Sequence, residues 1–244
     1  MKIWHENMAG PKKKSESFLN KKHVCEYCGS AFVRETTLAA HNCETKRRMA
    51  QENETGVRIG FRCFQKFYQS IKPSEEEKSY RNFVDSPYYL AFVKFGRYCV
   101  EIRAVDAEAL CTWLLKNNHK LDNWTKDSYY DEFLIDYLRR EPAAPALERS
   151  IKTMTEWAEE KQSRFQDYFK YATENRVCFD IQRGQISPWI VYTTQTGQNF
   201  LDRLDEKNLD HIWKYIDSDY WTKNFSKRTI DFEWAKELVG QAGL

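Results

Sequence analysis

The chain has 244 residues, with 38 Lys and Arg, 36 Asp and Glu, and a formal net charge of +2. That length holds one small module and one globular domain, and 15% aromatic with 30% charged residues describes a packed core under a solvated surface. No apolar run approaches the roughly 20 residues that cross a bilayer, so no membrane partner is expected.

No apolar leader is read before a cleavage site. The seven cysteines are odd in number, which fits free thiols in a reducing cytoplasm better than a disulfide framework. Charge is unevenly spread. Residues 1–50 carry ten Lys and Arg against five Asp and Glu, and residues 51–244 carry 28 against 31. A basic end on a near-neutral chain is the electrostatic footprint of a nucleic-acid contact.

Residues 1–22 are polar, with Gly10-Pro11, the run Lys12-Lys13-Lys14 and the pair Lys21-Lys22. They are predicted to be a disordered basic arm.

Residues 23–48 carry the strongest motif. Cys25 and Cys28 are separated by two residues, twelve more lead to His41, and Cys43 follows. Phe32 and Leu38 lie between, at the places where a ββα zinc finger keeps its small core. Zinc takes four N/S ligands tetrahedrally, and a unit this small folds around the metal. The predicted ligands are therefore Cys25, Cys28, His41 and Cys43. The last departs from the common pattern, which places a fourth ligand about three to five residues after the histidine. On one continuous helix, residues two apart point about 200° apart. The helix is thus predicted to stop at His41, with Asn42 in a left-handed turn returning Cys43 to the metal. A three-ligand site completed by water or Glu44 is the alternative.

Counting back from His41 puts Arg34 just before the finger helix and Thr37 and Ala40 at its third and sixth positions, the places that face base edges in DNA-reading fingers. Arg34 suits guanine, and Thr37 suits a base edge or a thymine methyl. Lys46, Arg47 and Arg48 follow as candidate phosphate contacts. A single finger reads only about three base pairs, so a structural or protein-binding role competes.

Residues 49–244 read as mostly helical. Val57, Phe61, Phe64, Tyr68 and Ile71 recur at helical spacing up to Pro73-Ser74. Glu75-Glu76-Glu77 is predicted to open the next helix, which carries Tyr80 and Phe83. Residues 88–98 interleave aromatics with Lys94 and Arg97. They suit stacked single-stranded bases but fit a helix core better. Asp106 caps a helix ending at Asn117-Asn118-His119, and another helix stops before Pro142. The longest candidate starts near Pro145 and carries its stripe through Leu147, Ile151, Met154, Ala158, Lys161, Phe165 and Tyr168. Residues 177–181 and 186–192, around Arg183-Gly184-Gln185, are predicted to be one β-hairpin bent at Pro188. Helices resume at Phe200, at Leu209 and after Thr229. The expected fold class is mainly α, a small ββα finger followed by a larger helical domain with one hairpin.

The strings CEYCGSAFVRETTLAAHNCETKRR, ETGVRIGF, SPYYLAFVKFGRY and ISPWIVY resemble the zinc-finger proteins of T4-like tailed bacteriophages, over most of the chain from Cys25 onward. The resemblance implies the host-cell cytoplasm and a role in phage DNA transactions or in tail-baseplate hub assembly.

Common catalytic signatures are missing, including phosphate loops, nucleophile elbows, H-E-x-x-H and G-x-G-x-x-G. His119 beside two asparagines suggests an H-N-H nuclease, but its flanks read as helix. The expectation is a non-enzymatic protein with no small-molecule substrate, binding nucleic acid, DNA before RNA. The alternative is a phage assembly factor that uses the finger as a clip on a structural protein.

Overall fold

Two short strands open the described chain. The computed structural model describes residues 23–74 and 76–244, so the expected basic arm lies outside the described residues, as does Glu75. Strand β1 (His23–Val24) runs antiparallel to β2 (Ala31–Phe32), with His23 opposite Phe32 and Val24 opposite Ala31. The five-residue α1 (Glu35–Ala39) packs on both strands. Then α2 (Glu44–Ala50) leads into the body. The expected boundary at residue 48 falls inside α2, so head and body share a helix.

The body begins with α3 (Thr55–Ile71), α4 (Tyr80–Val84) and α5 (Tyr89–Glu101). Helices α3 and α5 make the most intimate helix contact among the described residues, because glycines line their crossing. A Cβ on Gly96 would stand 1.9 Å from the carbonyl oxygen of Gly56, and one on Gly60 2.5 Å from that of Phe92. Backbones this close leave no room for side chains. Around them Phe64, Phe83, Phe92 and Phe95 are buried, and Trp124 meets Phe95 edge-on at 5.1 Å. The aromatic stretch at residues 88–98 is therefore helix core.

Next come α6 (Ala107–Lys116), capped by Asp106, α7 (Asp127–Arg140) and the 19-residue α8 (Ala143–Lys161). Then α9 (Tyr168–Tyr171), α10 (Glu174–Gln182), α11 (Pro188–Thr193) and α12 (Gln195–Arg203) follow. The described chain closes with α13 (Glu206–Ile216), α14 (Ser218–Lys227) and α15 (Thr229–Gln241). Helix α11 lies inside this half, against α8, α12 and α15, with Pro188, Trp189, Ile190 and Val191 all buried.

The mainly α class holds, and four expectations are corrected. The predicted hairpin is two helices, α10 and α11. Its turn is real, because Gly184 is left-handed at φ 72°, but Thr173 caps one flank and Ser187 with Pro188 starts the other. A run buried on every side has no period, so apolar β-branched residues there do not distinguish strand from helix. The long stripe breaks after Lys161, where Gln162 turns left-handed at φ 51°. Phe165 then lies in a 3-10 turn and Tyr168 in α9. Glu76 and Glu77 precede α4 rather than open it, because the cap is Ser79, paired reciprocally with Asn82. Finally, α14 was not anticipated, although Asp217 caps it and Trp221 and Phe225, four apart, carry its buried face.

Loop polar groups are held from within. Glu141, at the end of α7, is enclosed. Its carboxylate accepts two hydrogen bonds from Arg149 at 2.8 and 3.0 Å and one from Ser187 Oγ at 2.7 Å. Arg149 also donates to the Gly184 carbonyl at 2.6 Å, and Arg228 to the Glu141 carbonyl at 3.0 Å. Burial pushes the Glu141 carboxyl above its ordinary value, while Arg149 and Ser187 pull it back.

Candidate metal centre

The knuckle between the two cysteines is set by its backbone. The Gly29 amide donates to the Cys25 carbonyl and the Cys25 amide to the Ser30 carbonyl, each at 2.8 Å. Gly29 is left-handed at φ 72°, so the chain reverses and aims both sulfurs inward. Helix α1 stops at Ala39, and the His41 amide donates to the Leu38 carbonyl at 3.0 Å. The imidazole lies 4.7 Å from the Phe32 ring. Phe32 and Leu38 are both half-buried, as a two-residue core must be.

Cys43 returns to the site by a different route from the expected one. Asn42 is not among the left-handed residues. Instead Cys43 is extended, at φ −76° and ψ 162°, and forms the N-cap of α2. Its Sγ accepts from the Lys46 amide at 3.4 Å. A new helix, not a kink in the old one, turns the fourth sulfur inward. The alternative ligand Glu44 is occupied by Arg48, its salt-bridge partner.

The four donor atoms lie within 4.8 Å of one another. Cys25 Sγ is 4.0 Å from Cys43 Sγ, and Cys28 Sγ is 3.2 Å from His41 Nε2. Around a tetrahedral ion with sulfur at about 2.3 Å and nitrogen at about 2.1 Å, neighbouring donors stand about 3.5–3.8 Å apart. Those two pairs come within a few tenths of an ångström of that spacing and the widest separation within about one, so the cluster could hold a metal ion. Four protein donors close the shell, and a closed shell suits a structural rather than a catalytic ion. The thiols are not equivalent. Hydrogen bonding with the Ser30 side chain, the Ser30 backbone and His41 brings Cys28 down to about 6, whereas desolvation pushes Cys43 up. Ser30, two residues after Cys28, was not singled out from the sequence.

The remaining four cysteines, Cys63, Cys99, Cys111 and Cys178, are buried free thiols. Desolvation raises Cys99 to about 12 and Cys178 to about 11. They are inert core residues.

The candidate nucleic-acid residues divide. Arg34 immediately precedes α1, Thr37 lies within it, and both are exposed. Arg47 is exposed, and Lys46 is half-buried beside the metal cluster. Arg48 is engaged elsewhere. Its guanidinium donates to the Val84 carbonyl at 2.7 Å and lies 4.5 Å from the Tyr89 ring centroid. The Tyr80 hydroxyl donates to the Arg48 carbonyl at 2.8 Å, and Arg81 donates to the carbonyl of Tyr27, inside the knuckle, at 2.6 Å. This clasp fastens the head to α4 and α5. Its partners lie more than 30 residues away in sequence, so spacing gave no sign of it.

The head itself is only mildly basic. Residues 23–50 hold four Lys and Arg against three Glu, while residues 1–22 hold six Lys against two Glu. No helix among the described residues is long and apolar enough to cross a membrane. No family model, curated protein or solved structure matches the chain.

Proposed function

We propose that this is a zinc protein that binds nucleic acid, DNA before RNA, through its head and basic flanks. A donor set of three cysteine sulfurs and one imidazole favours zinc over harder ions. The observation that carries the reading is the exposure of Arg34 and Thr37 at the base-facing places of α1, while docking uses Tyr27 and α2. Arg47 and the lysines of residues 1–22 add phosphate contacts without sequence choice. Arg48 is withdrawn from that set because it holds the body. The resemblance to phage zinc-finger proteins supports a role in the cytoplasm of an infected host.

Gel shifts over a salt series test this reading. Binding should fall steeply as salt rises, because phosphate contacts release counterions. Arg34→Ala should weaken duplex binding, and chelation should abolish the base-reading part. No shift at low salt with metal-loaded protein removes the reading.

The clasp favours a second reading, in which the head is a clip and the protein a non-enzymatic phage assembly factor. Arg48, Tyr80 and Arg81 fix the head against the body, which suits a rigid surface for a structural protein. Co-purification of such a protein from infected cells, unchanged by nuclease, decides for this reading. Loss of the partner on nuclease treatment decides for the first.

A further inference from the structure

Helix α10 presents a second basic and aromatic face, remote in sequence from the metal. Arg176, Phe179 and Arg183 stand three and four residues apart, hence on one side of the helix. With Glu101, Arg103 and Gln185 they line a groove of about 350 Å³. Phe179 is 52% exposed, unusual for phenylalanine, and the Arg183 guanidinium lies 5.6 Å from its ring centroid.

The arginines are held but not saturated. Arg103 pairs with Glu156 at 2.5 Å. Arg176 uses Nε on Asp180 at 2.6 Å, but its Nη1 is 3.7 Å from Glu160, and Arg183 Nη1 is 3.9 Å from Asp127. Those last two distances are too long for hydrogen bonds. Asp180, which also borders the groove, is enclosed and accepts from the Tyr168 hydroxyl at 2.7 Å.

Gln185 supplies a fixed, neutral acceptor to the groove. It is 6% exposed, and its Nε2 donates to the Arg103 carbonyl at 2.7 Å and the Arg183 carbonyl at 3.4 Å. Its Oε1 has no hydrogen-bond donor among the described residues and is not sealed from solvent, so it stands as an open acceptor in the groove. Arg103, which anchors Gln185, is itself left-handed at φ 53°, a conformation uncommon for arginine.

We propose that this groove binds one nucleotide unit, with the base stacked on Phe179, a base N–H on Gln185 Oε1 and the phosphate on Arg176 and Arg183. Glu101, at the rim, accepts from sugar hydroxyls. Stacking on an exposed ring tolerates any base, and arginine forks suit phosphate. The unit is a free mononucleotide or one residue of a single strand. An aryl phosphate has the ring and the charge but no donor for Gln185.

Calorimetric titration of the full chain tests this. The probes are the four ribonucleoside monophosphates, inorganic phosphate, phenyl phosphate and a short single-stranded oligonucleotide. A mononucleotide is expected to bind with Kd below about 1 mM. Phe179→Ala and Arg183→Gln should each weaken it about tenfold or more, the size of one stacked base. Phe179→Trp should restore it, which separates lost stacking from lost folding. If only the oligonucleotide binds, with the same dependence on both residues, the unit belongs to a strand. Phosphate or phenyl phosphate binding as tightly as the mononucleotides overturns the assignment. So does binding that ignores both substitutions, or no binding of any probe. The site does not depend on the head: Arg34→Ala should leave mononucleotide binding unchanged even if it abolishes duplex binding.

Discussion

Cys43 holds two offices at once, candidate metal donor and cap of the helix that follows. Three substitutions separate them. Cys28→Ser should lose the metal and the hydrogen-exchange protection of residues 23–45, since so small a core does not fold without its ion. Cys43→Ser should lose the metal but keep α2, because serine is a good N-cap. Cys43→Ala should lose both, with about 1 kcal/mol more off the stability of α2. Metal analysis with exchange of residues 44–50 reads the difference, and full zinc in Cys28→Ser would contradict the ligand assignment. A different cost attaches to Gly96. An alanine there meets the Gly56 carbonyl at 1.9 Å, so α3 and α5 must part. Denaturant titration should find Gly96→Ala destabilised by about 3 kcal/mol, the upper end for overpacking. The ligands were legible because type and spacing alone identify them. Asn42 misled because it tolerates a left-handed turn that this chain does not use. Arg48 was illegible, since a basic run reads as phosphate contact and nothing local points to Val84 or Tyr89.

At the level of elements, α2 is the joint between head and body. Its first residue follows the candidate metal donor Cys43, and Arg48, four residues on, reaches α4 and the Tyr89 ring of α5. Metal occupancy at the head should therefore be felt in the body. In the unaltered protein, chelation should speed amide exchange across residues 80–90. In Arg48→Met those residues should exchange faster from the outset and respond little to chelation. Equal protection of residues 80–90 with and without metal would show that the clasp does not couple them. Amphipathic helices such as α3 and α7 were read from the spacing of their apolar residues, since each buries one face, and α5 from its run of aromatics. Helices α11 and α14 were not. α11 is enclosed on all sides and shows no period, and α14 is recognisable only by its aspartate cap and two aromatics.

Across the whole molecule, the Glu141 network ties the end of α7, the body of α8, the 183–187 turn and the start of α15. Arg149→Met leaves the enclosed carboxylate with one neutral partner, and removing one partner of a buried pair costs about 3 kcal/mol or more. The pH dependence has a definite sign. The folded chain already holds this proton above the ordinary carboxylate value, and the variant should hold it higher still. That contribution is present below the ordinary value and lost as pH rises through the folded one. Arg149→Met should therefore sit closest to the parent in thermal melts near pH 4 and furthest from it near pH 8. A loss that is the same at both pH values would show that Glu141 is not the group left stranded.

Helix α11 has one more implication. The segments that wall it in come from both sides of it in the chain, α8 earlier and α12 and α15 later. As the polypeptide emerges from a ribosome, Trp189 and Ile190 stay uncovered until α15 has followed them out. The second half of the body then closes in one late, concerted step, so a nascent chain halted short of residue 229 should be far more prone to aggregation and proteolysis than its remaining length suggests.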